Sequence, residues 1–230
     1  MIMKKYPTMQ DWINSGIINI DYYKKERQHQ LLHGLLLPCL NVRYIDGSLY
    51  QREEFKQRIC DFLEKRKPAV LISSPKKTKG FEKKWIDNCS TWEQVKEFMD
   101  SIPQPHQYFI LITEMVQGTE DGYVGTAINK DGKLLLEFYK RQNWTDIRAV
   151  SSGAGEAEFL RLAYVREGKI IRKPVDIPES DLLEIYNHLQ GKTGYFEFIK
   201  GNKSGVPGIY FMEFQDEPAF LKAIDLADNL

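Results

Sequence analysis

From residue 123 onward the chain uses one device three times: two stretches of β-branched, aromatic and aliphatic residues joined across a glycine-bearing turn. "YVGTAINKDGKLLLEFYK" (123–140) reads as a hairpin across Asn-Lys-Asp-Gly, and "LRLAYVREGKIIRKPV" (160–175) as a second across Glu167-Gly168. "GYFEFIKGNKSGVPGIYFMEFQ" (194–215) reads as a third, with a long basic turn between Tyr195–Phe198 and Ile209–Gln215. Strands joined by so short a connection must run antiparallel, because a parallel pair needs a crossover of a dozen or more residues. Half of the molecule is therefore committed to antiparallel sheet.

The first half mixes the two periods. Segments 8–16 and 21–36 have helical patterning, and the second ends before Pro38. "LNVRYIDGSLY" (40–50) is a strand cut by the Asp46-Gly47 turn signal. "REEFKQRICDFLEKR" (52–66) spaces Phe55, Ile59, Phe62 and Leu63 as a helix does. "AVLIS" (69–73) is a buried-type strand, and "SPKKTKGFEKK" (74–84) a basic loop. Ser90 and Glu93 stand at capping-box spacing, which starts a helix at about Thr91. "FILITE" (109–114) is the next strand. "PESDLLEIYNHLQ" (178–190), with Pro178 in its first turn, and "EPAFLKAIDLAD" (217–228) are helices. This order predicts an α+β fold with mostly antiparallel sheet. Hydrophobic residues at 42% suffice for a core. The 32 basic and 32 acidic residues balance, so nothing general indicates nucleic acid or a membrane surface. Cys39, Cys60 and Cys89 are scattered, and no apolar run or leader-like N-terminus stands out. The expectation is a soluble cytoplasmic protein with free thiols.

The chemistry sits at strand ends. Strand side chains alternate, so Glu213 and Gln215 share one face of the last strand while Met212 and Phe214 share the other. Glu197, between Phe196 and Phe198, points away from the apolar side of the facing strand. If pairing brings Glu197 beside Glu213, two carboxylates and an amide oxygen meet on one face. Neighbouring like charges are unfavourable there unless a hard divalent cation such as Mg²⁺ relieves them. Otherwise these acids are the solvated face of an amphipathic hairpin. His29 and His33 have the i,i+4 spacing of a zinc pair, but no third ligand is evident. No serine-centred elbow or Walker phosphate loop occurs.

These stretches, in this order, resemble the ATP-grasp fold over roughly residues 25 to 226. In that family the last strands carry an acid and then a Glu-x-Asn pair that hold Mg²⁺ against ATP. Glu197 matches the acid, and Glu213-Phe214-Gln215 the pair, with Gln in place of Asn. "Glu114-Met115-Val116-Gln117-Gly118-Thr119-Glu120" looks like the family's nucleotide segment. The resemblance implies that backbone at Glu114, Met115 and Val116 meets adenine and that Glu120 accepts from the ribose hydroxyls. It also implies a flexible loop over the phosphates, here with Lys76, Lys77, Lys79 and Gly80. The basic residue common on the preceding strand is replaced by Ser73-Ser74, a faint similarity to the pyruvate phosphate dikinase branch without its arginine. Arg141 and Arg148, near "SSGAGE" (151–156), are suited to the terminal phosphate.

The resemblance implies two α+β lobes with ATP between them. The boundaries read as a helical extension over 1–24, a first lobe over 25–113 with the phosphate loop, and a second over 114–230. It implies a ligase or phosphotransferase with ATP and Mg²⁺ as cofactors. The acceptor is not identified; the site for it lies within the lobes or on a partner chain, and a homodimer is compatible. A nucleotide-binding module without chemistry and an interaction protein without ATP are the rival readings.

Overall fold

The computed structural model describes residues 22–76, 82–139 and 160–216, together with Ile224. The helices expected over 8–16 and 217–228, Lys77, Lys79, Gly80, Arg141, Arg148 and the 151–156 stretch lie outside the described residues, Ile224 apart. The remainder is α+β, with two wholly antiparallel sheets.

The first sheet has the order β1-β4-β2-β3: β1 is Val42–Asp46, β2 Ala69–Pro75, β3 Lys84–Cys89 and β4 Tyr108–Glu114. Helix α2 (Glu53–Lys65) turns Phe55, Ile59, Phe62 and Leu63 into its core, against Ile45, Leu71, Ile110 and Ile112. Helix α3 (Trp92–Asp100) adds Val95, Phe98 and Met99. The α3 cap lies one residue later than the sequence suggests. Thr91 Oγ1 accepts from Gln94 N, and Gln94 Oε1 accepts from the Thr91 and Ser90 amides. A glutamine reaches back as well as a glutamate does, and it stands three residues beyond a threonine. Strand β3 is absent from the sequence reading. Only Trp85 and Ile86 are bulky and apolar in it, and as an edge strand it needs little more. The basic loop is thus the connection of a β2–β3 hairpin, with Ser73 opposite Lys84.

The second sheet has the order β10-β9-β5-β6-β7-β8. Its strands are β5 (Tyr123–Lys130), β6 (Lys133–Tyr139), β7 (Leu160–Arg166), β8 (Lys169–Arg172), β9 (Gly194–Lys203) and β10 (Val206–Gln215). All three hairpins turn at a residue pair with positive φ: Asp131-Gly132, Glu167-Gly168 and Ser204-Gly205. This backbone matches the twist of paired strands. The third turn is therefore short, not long. Asn202 and Lys203 continue β9, and Val206 begins β10. The core of this sheet takes Leu182, Ile185 and Leu189 from α4 (Glu179–Leu189), which Pro178 precedes as the cap. It also takes Leu32 from α1 (Tyr22–Gly34) and Leu37 just beyond. Helix α1 thus packs on the second sheet through Leu32, while its His29 ring lies near Tyr44 of β1. Among the described residues no helix is long and apolar enough to cross a membrane.

Candidate functional site

Hairpin β9–β10 sets the register of the acids. A bulge between Phe211 and Glu213 shifts the pairing by one residue, so that Glu213 faces Glu197 and Gln215 faces Tyr195. The row continues through Thr126 on β5 to Glu137 on β6. Directly opposed residues share a face, so three carboxylates lie along one line across four strands. Sequence reasoning missed Glu137, although its signal was visible. Leu136-Glu137-Phe138 has the same apolar–acid–apolar pattern as Phe196-Glu197-Phe198.

This face is not the solvated one that the hairpin pattern suggests for Glu197. Its side chain is 4% exposed, and Oε1 accepts from Tyr195 Oη at 2.8 Å. Burial, then the charges of Glu197 and Glu213, push the Tyr195 phenol well above its ordinary range. It stays protonated and keeps donating. Gln215 Nε2 donates to Glu213 Oε1 (2.5 Å), which leaves the amide oxygen of Gln215 as the end available to a cation. No group of three or more His, Cys, Asp or Glu side chains converges closely enough for a metal among the described residues. The donor set that remains is two opposed carboxylates and one amide oxygen. This is hard oxygen chemistry, of the kind Mg²⁺ takes together with phosphate oxygens.

The 114–122 segment lies against the same hairpin. The Met115 amide donates to Pro68 O, and Gln117 and Asn202 exchange both backbone hydrogen bonds at 2.8 Å. Val116 packs with Leu40, Val124, Ile199 and Tyr210, and half-buried Met212 borders them. The close approach depends on Gly201, where a Cβ would lie 2.5 Å from Gln117 O. Thr119 to Gly122 form a turn that leaves Glu120 exposed. Next to it, Asp121 Oδ2 pairs with Lys200 Nζ at 2.7 Å. Lys200 also reaches Asp181 Oδ2 (2.9 Å), which accepts from Tyr123 Oη (3.0 Å). The Lys200 hydrogen bond holds Asp121 below the usual carboxylate range. Burial opposes the charged lysine, but the two aspartates outweigh it and raise its pKa. The turn that presents Glu120 is thereby anchored to β9.

The Glu114 side chain binds within the protein. Its Oε2 accepts from the Asn41 backbone amide (2.8 Å) and from Asn41 Nδ2 (2.9 Å). Lys203 stands 3.6 Å from Oε2, and Arg66 3.9 Å from Oε1. Lys76, expected at phosphate, is bound to both oxygens of Asp46 at 2.7 and 2.8 Å and lies over the Phe109 ring. Lys76 follows the end of β2 beside Asp46, the cap of the Gly47–Leu49 turn, and the two form a charge-assisted pair. Ser73 is fully buried; it accepts from Lys84 N (2.9 Å) and so closes the β2–β3 hairpin.

No protein-family model matches the sequence, and no curated protein matches it. Among solved structures the chain is similar to D-alanyl-alanine synthetase A from Vibrio cholerae (9% identity, TM-score 0.45). It is also similar to phosphoribosylamine–glycine ligase from Thermotoga maritima (15%, 0.44) and to a RimK domain ATP-grasp protein from Sphaerobacter thermophilus (12%, 0.42). The similarity covers 91%, 83% and 87% of this chain, and 61%, 46% and 64% of those proteins. The chain thus spans less than two thirds of each.

Proposed function

We propose that the protein is an ATP- and Mg²⁺-dependent enzyme of the ATP-grasp type, a ligase or phosphotransferase. The observation that carries this reading is the register of β9 and β10. One hairpin opposes Glu197 to Glu213, keeps Gln215 on their face, and holds the 115–118 segment against its far end at Asn202. In this reading backbone at Glu114, Met115 and Val116 borders adenine, Val116 and Met212 give the ring an apolar wall, and exposed Glu120 accepts from the ribose diol. Lys200, through Asp121, fixes the turn that carries Glu120. Glu197, Glu213 and the Gln215 oxygen hold Mg²⁺, which when bound neutralises charge on the phosphates. Tyr195 keeps one Glu197 oxygen occupied and orients the other. Lys77, Lys79 and Gly80 cover the phosphates, and Arg141 and Arg148 reach the terminal one. In the ligase form an acceptor carboxylate oxygen bonds to the γ-phosphorus and ADP departs. An amine then attacks the acyl carbon and releases phosphate. The first step needs no general base, because a carboxylate is already ionised.

A non-catalytic nucleotide-binding module is the second reading. It is favoured by the commitment of Lys76 to Asp46 and of Ser73 to the hairpin, which leaves no strand-borne cation for the phosphates among the described residues of β2. The test is thermal stability with ATP, with and without Mg²⁺, in the parent and Glu213→Gln. Binding to the native state alone raises stability by about 2.7 kcal/mol at a hundredfold excess over Kd. A Mg²⁺-dependent rise that Glu213→Gln abolishes supports the site. An equal rise in both proteins removes the hairpin as the metal site. ATP turnover with carboxylate and amine acceptors then separates enzyme from module.

A further inference from the structure

A cavity of about 370 Å³ opens between the outer face of α2 and strand β1, at the edge of the first sheet. Arg58, Asp61 and Lys65 recur along α2 at the spacing of one helical stripe. Across from them on β1 stand Arg43 and Tyr44, and Arg66 closes the end. The floor is Ile45 and Phe62, both almost wholly buried in the core. The groups that a ligand would meet are thus three guanidinium groups, one ammonium and a tyrosine. One carboxylate, Asp61, stands among them, and it already accepts from Gln57 at 2.7 Å.

The compensation of these cations is uneven. Arg58 is paired with Glu54, one turn back. Arg66 lies over the Phe62 ring and 3.9 Å from Glu114. Arg43 donates only to its neighbour's carbonyl, Val42 O at 3.3 Å, and neither it nor Lys65 has a carboxylate partner among the described residues. The negative end of the α2 dipole accounts for a cation at Lys65. It does not account for Arg43, which belongs to another element, nor for Arg58, two turns earlier. In a chain of zero formal charge, four cations around one concavity are a local concentration that folding alone does not require.

We infer that this cavity is a binding site for a small polyvalent oxyanion, distinct from the nucleotide site proposed above, which it borders only where Arg66 stands beside Glu114, and independent of that reading. Guanidinium forks match the paired oxygens of phosphoryl and carboxylate groups. The volume is at the lower end of small-molecule pockets. Lined by charge over a sealed apolar floor, it suits a compact anion with little hydrocarbon, not an extended polymer. Diphosphates and di- or tricarboxylates share this chemistry.

The test is titration calorimetry of the full chain with pyrophosphate and with citrate, in metal-free buffer at low salt. The expected result is one saturable site for at least one of the two. Its affinity should fall tenfold or more in Arg43→Gln/Lys65→Gln, which alters only exposed side chains. Stronger pyrophosphate binding assigns a phosphoryl ligand, and stronger citrate binding a polycarboxylate. Lys96→Gln/Lys169→Gln, with the same loss of charge elsewhere, should bind as the parent does. Equal affinity in the Arg43/Lys65 double variant, non-saturable heat, or equal loss in the control variant would overturn the site. So would a single-stranded RNA oligomer that binds through Arg43 and Lys65 when neither small anion binds.

Discussion

His29 is a base that the fold keeps neutral. Its ring on α1 is 6% exposed, edge-on to His33, with Nε2 of the two rings 3.0 Å apart. Burial lowers its pKa to about 4, the charges of His33 and Arg43 assist, and Glu213 and the Met212 backbone oppose. The unfolded chain takes up this proton near pH 6.5, whereas the native state refuses it until about 4. The unfolded state therefore binds more protons between these values, and stability falls as pH drops through that window. Each unit corresponds to roughly 1.4 kcal/mol, so the whole contribution is on the order of 3 kcal/mol. His29→Gln keeps a polar group and removes the titration. Urea denaturation of parent and variant from pH 7 to pH 4 should show curves that diverge in slope across this window, with the variant flatter. Parallel curves would mean that His29 does not carry the acid sensitivity. The pair was legible in the sequence as an i,i+4 motif. Its burial was not, because which face of α1 meets β10 depends on chain more than 170 residues away.

At the scale of elements, hairpin β9–β10 was the most legible part of the molecule and also the most instructive where reading fell short. Alternation placed Phe196, Phe198 and Phe214 in the core and Glu197 with Glu213 on the other face, and the observed register agrees; Met212, expected beside Phe214, instead packs with Val116 and Ile199 because the bulge after Phe211 breaks the alternation there. Alternation cannot show that the acid face is covered, so it leaves a metal site and a solvated face equally open for Glu197, and the burial of Glu197 removes the second. Nor can alternation show polar residues continuing a strand, so Asn202 and Lys203 were read as turn. Yet this polar extension is where the 115–118 segment docks, through Gln117 and Asn202. Gly201→Ala tests the docking. The added methyl would meet Gln117 O at 2.5 Å and Val116 Cγ1 at 2.6 Å, and a backbone carbonyl does not move alone. The 115–118 segment must shift, and the two 2.8 Å bonds between Gln117 and Asn202 lengthen. Overpacking of this kind costs about 1–3 kcal/mol. ATP affinity should fall together with stability. A variant that loses stability but binds ATP like the parent would detach this segment from the nucleotide.

Across the whole molecule two separate cores must act together. One gathers on the first sheet around Phe55 and Ile110, the other on the second around Phe138 and Phe198, and a small third cluster joins Leu40 and Val116 to Val124, Ile199 and Tyr210 of the second sheet. Glu114 is the polar counterpart of that cluster. It ends β4, yet its carboxylate takes the amide and side chain of Asn41 and stands beside Arg66 of the first lobe and Lys203 of the second. The acceptor is only 16% exposed, so solvent replaces it poorly. Glu114→Ala leaves a backbone donor, an amide and two cations short of an acceptor. A buried donor left unsatisfied costs roughly 1–3 kcal/mol, whereas an exposed pair such as Glu54–Arg58 contributes well under 1. Glu54→Ala should therefore melt like the parent. Glu114→Ala should melt lower and, because the cores are distinct, less cooperatively. Its calorimetric enthalpy should exceed the van't Hoff enthalpy, while the parent keeps the two equal. A Glu114→Ala transition as sharp as the parent's would show that the apolar contacts alone couple the two cores, and that the carboxylate of Glu114 has no part in joining them.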